Sequence, residues 1–133
     1  MIVVDTNLIV YLLIKSEFTR DAESVYKKDP LWAAPRFWQS EFRNVLVGHL
    51  RGDLLELEQS LTIMAQAEQM MKGREFAVMS SRIIRLAADS GCSAYDCEFV
   101  ALAIDLGIPL VTSDGALLAK FKPVAVSMRT FCS

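Results

Sequence analysis

Four carboxylates carry the chemistry open to this sequence, and each stands where a lone charge is costly. The apolar run Ile2-Val3-Val4 ends abruptly on Asp5, with Thr6 and Asn7 directly behind it. A second apolar run, in "IPLVTSD", ends on Asp114. Glu41 follows Trp38 by three residues and precedes Val45 by four. That spacing puts it on the apolar stripe of Trp38, Phe42, Val45 and His49, away from Gln39 and Arg43. Asp96 likewise shares a helix face with Phe99, Val100 and Ala103. An acid on a buried stripe is destabilising unless something positive compensates it. Two like charges about 4 Å apart repel by roughly 4 kcal/mol at an effective dielectric near 20. Convergent acids therefore call for a cation or for displaced pKa values. An all-oxygen donor set, without Cys or His, suits Mg²⁺ or Mn²⁺ far better than Zn²⁺ or copper.

Each acid also has a purely structural reading. A strand-end Asp often caps the next helix, which applies to Asp5 and Asp114. Ser93-x-x-Asp96 spells a capping box in its own right. His49, the single histidine, lies eight residues after Glu41. That is about 12 Å along a helix axis, too far to share one ion with Glu41, so His49 reads as a helix-face or helix-end residue. Met64, Met70 and Met71 read as core or helix–helix contacts, and Cys92 and Cys97 as inert packing.

The elements that must position these residues alternate along the chain. Strands are expected at residues 1–5, 31–35, 75–79, 108–114 and 124–131, the last being "VAVSMRTF". Helices are expected at 8–14, about 17–28 and 37–50, the last broken by "RGD" at 51–53. Asp53 with Glu56 suggests a capping box opening a long helix that Gly73 terminates. Further helices run from Ser80 or Ser81 to Gly91, from Ser93 to Gly107, and over "GALLAKF". Alternating strands and helices imply an α/β, three-layer sandwich with a parallel sheet covered on both faces. In such sheets ligands gather beyond the carboxyl ends of strands, where the connection order reverses. If the first and fourth strands are neighbours, Asp5 and Asp114 emerge together at that edge.

Length, at 133 residues, indicates one domain spanning 1–133. The chain is 53% hydrophobic and 23% charged, as expected for a folded soluble protein. No signal-peptide pattern opens it, and no apolar stretch approaches the roughly 20 residues of a membrane span. Three cysteines without CxxC spacing, Cys92, Cys97 and Cys132, indicate free thiols in a reducing, cytoplasmic setting. A net charge of −2 gives no global attraction for nucleic acid, which leaves a local basic rim or metal ions to hold one. Arg36, Arg43, Arg51, Lys120 and Lys122 are candidates for such a rim.

Taken in order, "VVDTN", "SEFRNVL", "SAYDCEFVALA" and "LVTSDGALL" resemble PIN-domain ribonucleases, above all the VapC-type toxins of toxin–antitoxin pairs. The resemblance implies a sheet of about five strands in the order 3-2-1-4-5. It also implies a metal-binding quartet of Asp5, Glu41, Asp96 and Asp114, supported by Asn7, Thr112 and Thr6. The implied activity is Mg²⁺- or Mn²⁺-dependent hydrolysis of RNA, with a cognate antitoxin lying over the groove and a homodimeric toxin. Many relatives carry a further acid just after the position of Asp114, where Gly115, Ala116 and Leu117 follow here. A second ion would then need ligands from substrate phosphate.

In this reading Asp5, Asp96 and Asp114 hold the ion, and Glu41 is either a further ligand through water or the base that orients the nucleophile. Two other enzyme classes use strand-end acids. A dehalogenase-type phosphatase wants Asp-x-Asp after the first strand, yet Asn7 fills the third position. A receiver-type phosphoacceptor wants an acidic pair near that strand, and only Asp5 is present. The remaining alternative is a PIN-like module that binds RNA or protein without cutting.

Overall fold

Ile2, Val3 and Val4 are β-branched and almost wholly inaccessible, the composition of a strand buried on both faces. They form β1 (Ile2–Val4) at the centre of a five-stranded sheet in a computed structural model that describes residues 1–133. The other strands are β2 (Trp32–Pro35), β3 (Glu75–Phe76), β4 (Leu110–Val111) and β5 (Ala125–Val126). Every pairing is parallel and the order is β3-β2-β1-β4-β5. The expected α/β fold and strand order are therefore observed.

Eight helices complete the chain: α1 (Thr6–Leu13), α2 (Thr19–Lys28), α3 (Trp38–Arg51), α4 (Leu57–Met71), α5 (Ser80–Ser90), α6 (Ala94–Leu106), α7 (Gly115–Lys120) and α8 (Met128–Cys132). α6 lies across β1, β2 and β4, with α5 packed along it. Its run Cys97, Phe99, Val100, Ala101, Leu102 and Ala103 is buried almost all round, as an inner helix requires. α1 packs on β1 and α4 on β2, while α3 packs against both α1 and α4. Trp38 and Phe42 of α3 are fully buried and meet edge-on, with ring centroids 5.8 Å apart. The Trp38 indole N–H and the Gln39 amide both donate to the Glu75 carboxylate, which pins the start of α3 to β3. Gln39 is thus tied inward rather than to solvent. Met71 is fully buried, and Met64 and Met70 pack on the same core, as expected. No helix is long and apolar enough to cross a membrane.

Three local expectations need correction. The stretch 124–131 is not one strand: β5 stops at Val126, and Ser127 caps α8 by accepting the Thr130 N–H at 3.1 Å. The capping box of α4 belongs to Glu56 and Gln59, whereas Asp53 occupies a left-handed turn at φ +57°. α5 follows Met79, and neither Ser80 nor Ser81 caps it; both lie inside the helix. β3 and β4 are also shorter than expected, at two residues each. The terminators Gly91 and Gly107 take the left-handed conformation expected of them.

Candidate active site

Register places the first candidate side chains. Val4 pairs with Val111, so the next residues outward, Asp5 and Thr112, come side by side beyond the sheet's carboxyl edge. The Thr112 hydroxyl donates to Asp5 Oδ2, and Asp5 Oδ1 accepts the Leu8 N–H at 3.3 Å. Asp5 is therefore both the cap of α1 and a wall of the site. Asp114 repeats this arrangement at the start of α7, where its Oδ1 accepts the Leu117 N–H at 2.9 Å. The Asp114 N–H donates to Thr112 Oγ1 at 3.0 Å, so one threonine ties both strand-end acids together.

The helices supply the other two. Glu41 lies in the first turns of α3, half-buried, and accepts the Thr6 hydroxyl at Oε1 over 2.6 Å. Asp96 lies in the first turn of α6, where its N–H donates to Ser93 Oγ at 3.0 Å. The reciprocal bond, from the Ser93 N–H to the Asp96 carboxylate, is not made. Only half of the capping box forms, and the Asp96 carboxylate is left facing the cavity. Asp5, Thr6, Asn7, Glu41, Asp96, Phe99 and Asp114 together line a cavity of about 60 Å³.

No cation answers these acids. The ion pairs in the molecule join the N-terminus to Asp29 and Arg82 to Asp105, both elsewhere. Burial consequently pushes the Asp5 carboxyl up to about 6, with Asp114 and Glu41 adding to the effect and the Thr112 and Leu8 bonds opposing it. Burial also raises Glu41, helped by the charges of Asp96 and Glu98 and opposed by Thr6. Asp96 is raised by burial and by Asp114, against the Ser93 hydroxyl. The carboxylates thus feel one another across the cavity. As the side chains stand, no three of them are gathered tightly enough to enclose one ion directly.

Of the seven expected residues, Asp5, Thr6, Asn7, Glu41, Asp96 and Asp114 line the cavity, and Thr112 stands just behind it through Asp5. Phe99 and Glu98 escaped the sequence reading of the site: Phe99 lines the cavity and Glu98 acts on Glu41 through its charge. His49 is remote, its Nδ1–H donating to the Val45 carbonyl at 2.9 Å. The Cys97 thiol is buried and its pKa raised by burial, in keeping with packing. Of the five rim cations none lines the cavity; Arg43 donates to Gln39 and Lys120 to the Ser90 carbonyl. A larger groove of about 450 Å³ runs along α4, lined by Leu55, Glu58, Gln59, Thr62, Ile63 and Gln66. It brings together no convergent acids, so the small cavity is the candidate site.

Solved structures of similar shape accompany this geometry. The chain is similar to the protein PAE2754 from Pyrobaculum aerophilum, with a TM-score of 0.73 and 22% identity over 98% of this chain and 92% of that one. It is similar to a chain of a toxin–antitoxin complex from Klebsiella pneumoniae, with a TM-score of 0.70, 18% identity, and coverage of 96% and 98%. It is also similar to a chain of FitAcB from Neisseria gonorrhoeae, with a TM-score of 0.71, 17% identity, and coverage of 97% and 99%. Comparison with curated proteins yields no significant match. The sequence profile described as PIN domain matches residues 2–122. Since that match runs from β1 through α7, the chain belongs to the PIN-domain family.

Proposed function

We propose that the chain is a Mg²⁺- or Mn²⁺-dependent ribonuclease and the toxin of a toxin–antitoxin pair. The observation that carries the nuclease reading is the meeting of Asp5, Glu41, Asp96 and Asp114 in one small cavity without a cation partner. Membership of the PIN-domain family supports the reaction class. Likeness to a chain of a toxin–antitoxin complex supports the toxin reading.

The donor set fits a hard divalent ion, being all oxygen and of excess negative charge. Mg²⁺ is commonly held by one or two carboxylates, with water and substrate phosphate completing its shell. Direct enclosure by three carboxylates is therefore not required. A cavity of about 60 Å³ exceeds the roughly 10–15 Å³ that admits one water, so water fits among the carboxylates. A bound ion would lower the pKa of water and neutralise charge on the phosphoryl oxygens.

Asp5, Asp96 and Asp114 would hold that ion. Thr112 fixes the first and last of these by one donated and one accepted hydrogen bond. Thr6 holds Glu41 by Oε1, which leaves Oε2 to take a proton from the attacking water. Burial raises the Glu41 pKa above that of a solvated glutamate, which makes it the stronger base. Asn7, exposed at the cavity wall, offers an amide to the acids or to the substrate. Water attacks phosphorus in line as one proton passes to Glu41, the P–O bond to the departing ribose oxygen breaks, and that oxygen takes a proton from solvent. RNA cleavage should stop in EDTA, return with Mn²⁺ or Mg²⁺, and vanish in Asp5→Asn. Full cleavage in chelator would overturn the reading.

A second reading, a module that binds RNA or protein without cutting, draws on the spacing of the carboxylates as they stand. Wild-type protein that cuts no RNA in Mn²⁺ would favour it. The antitoxin is expected to lay its C-terminal segment over the cavity, and the toxin to form a homodimer. Sequencing RNA 5′ ends after induced expression would identify the target.

A further inference from the structure

Phe37 and Tyr95 stack on one another, with ring centroids 5.0 Å apart and planes 14° from parallel. Phe37 immediately precedes α3, one helical turn from Glu41. Tyr95 lies in the first turn of α6, directly before Asp96 and one turn from Phe99. Glu41 and Phe99 both line the carboxylate cavity. Each ring thus stands four residues, a rise of about 6 Å along its helix, from a residue that lines the cavity. Phe37 is half-buried and packs on the hydrophobic core. Tyr95 is 61% exposed and belongs to neither hydrophobic cluster. Beyond its stack on Phe37, the Tyr95 ring lies largely open to solvent, directly before the cavity residue Asp96.

We infer that Tyr95, backed by Phe37, is a stacking platform for one nucleobase of single-stranded RNA next to the phosphate to be cut. This inference rests on the nuclease reading above. Charge argues for such a platform, because four carboxylates in the cavity outweigh the two charges of one divalent ion and the protein carries a net charge of −2. An uncharged contact with a base face escapes the remaining repulsion of a phosphate chain. Stacking is also tolerant of base identity, since every base has a π-face. Arg36, exposed and outside the ion pairs of the molecule, precedes Phe37 and supplies a cation for the neighbouring phosphate.

The test is steady-state cleavage of a short single-stranded RNA in Mn²⁺ by wild type, Tyr95→Ala, Tyr95→Leu and Tyr95→Phe. Each enzyme meets the intact RNA and a series in which one base at a time is abasic. Tyr95→Ala and Tyr95→Leu should raise KM roughly tenfold, the size expected of one stacked base, with kcat changed by less than about twofold. Tyr95→Phe should resemble wild type. The penalty should disappear on the one RNA whose stacked base is missing. If Tyr95→Leu matches wild type, the ring merely covers Phe37 and the inference falls. It falls equally if the penalty persists on every abasic RNA, or if the variants lose only binding to a protein partner. Wild type that cuts nothing in Mn²⁺ would overturn the nuclease reading and this inference with it, whereas normal cleavage by Tyr95→Ala overturns the inference alone.

Discussion

Asp5 shows what burying a carboxylate at the sheet's edge costs the fold. Its carboxyl is pushed from 3.8 up to about 6 by burial. A carboxyl raised in the folded state stabilises only while protonated: its contribution is full below the unfolded pKa and lost as pH rises through the folded one. The metal-free protein should therefore gain stability on acidification from pH 7 to pH 5, by about 1 kcal/mol from this group. Asp5→Asn keeps the shape, removes the charge, and should raise the metal-free urea midpoint at pH 7 while flattening that pH dependence. Urea melts at pH 5, 6 and 7 check this; identical pH profiles for the two proteins would contradict it. Asp5 and Asp114 were legible in sequence because an apolar run ending on an acid is conspicuous, and Glu41 and Asp96 because helical spacing put charge on an apolar stripe. Phe99 was not, since an aromatic residue on such a stripe reads as core. Glu98, two residues from Asp96, falls on another face of α6, and only folding brings it within reach of Glu41.

At the scale of elements, helix starts do most of the positioning. α1 and α7 begin on the strand-end acids themselves, and α6 brings Asp96 to the cavity through its Ser93 cap. Ser93→Ala removes the acceptor of the Asp96 N–H and should cost about 1 kcal/mol of stability. It should also weaken Mn²⁺ binding, because the first turn that carries Asp96 is no longer fixed. Urea melts and a Mn²⁺ titration measure the two effects; unchanged values for both would show that the cap is irrelevant to the site. The central elements could be read from sequence, since β1, β2 and α6 have long apolar signals. The chain's last segment could not. "VAVSMRTF" alternates like a strand, yet buried Met128 and half-buried Phe131 are also three residues apart, a helical spacing. The Ser127 cap and the packing of α8 on α2, where Lys28 Nζ lies 4.7 Å from the Phe131 ring, decide for a helix.

For the whole molecule, the parallel sheet and its order are what turn scattered acids into a site. Val3 of β1 and Leu110 of β4 are 107 residues apart in sequence, yet the two strands pair directly at the point where strand order reverses. Nothing in the local sequence specifies that adjacency; it followed from resemblance, and the observed order agrees with it. The central claim is that this convergence of carboxylates is made tolerable by a divalent ion. Its most direct test is thermal unfolding of wild type and Asp5→Asn with and without millimolar Mn²⁺. An ion that binds only the folded state at about 100 times its Kd would add about 2.7 kcal/mol. The account predicts a clear rise in the wild-type midpoint and little or none in Asp5→Asn. A wild-type midpoint indifferent to Mn²⁺, or an equal rise in both proteins, would contradict it.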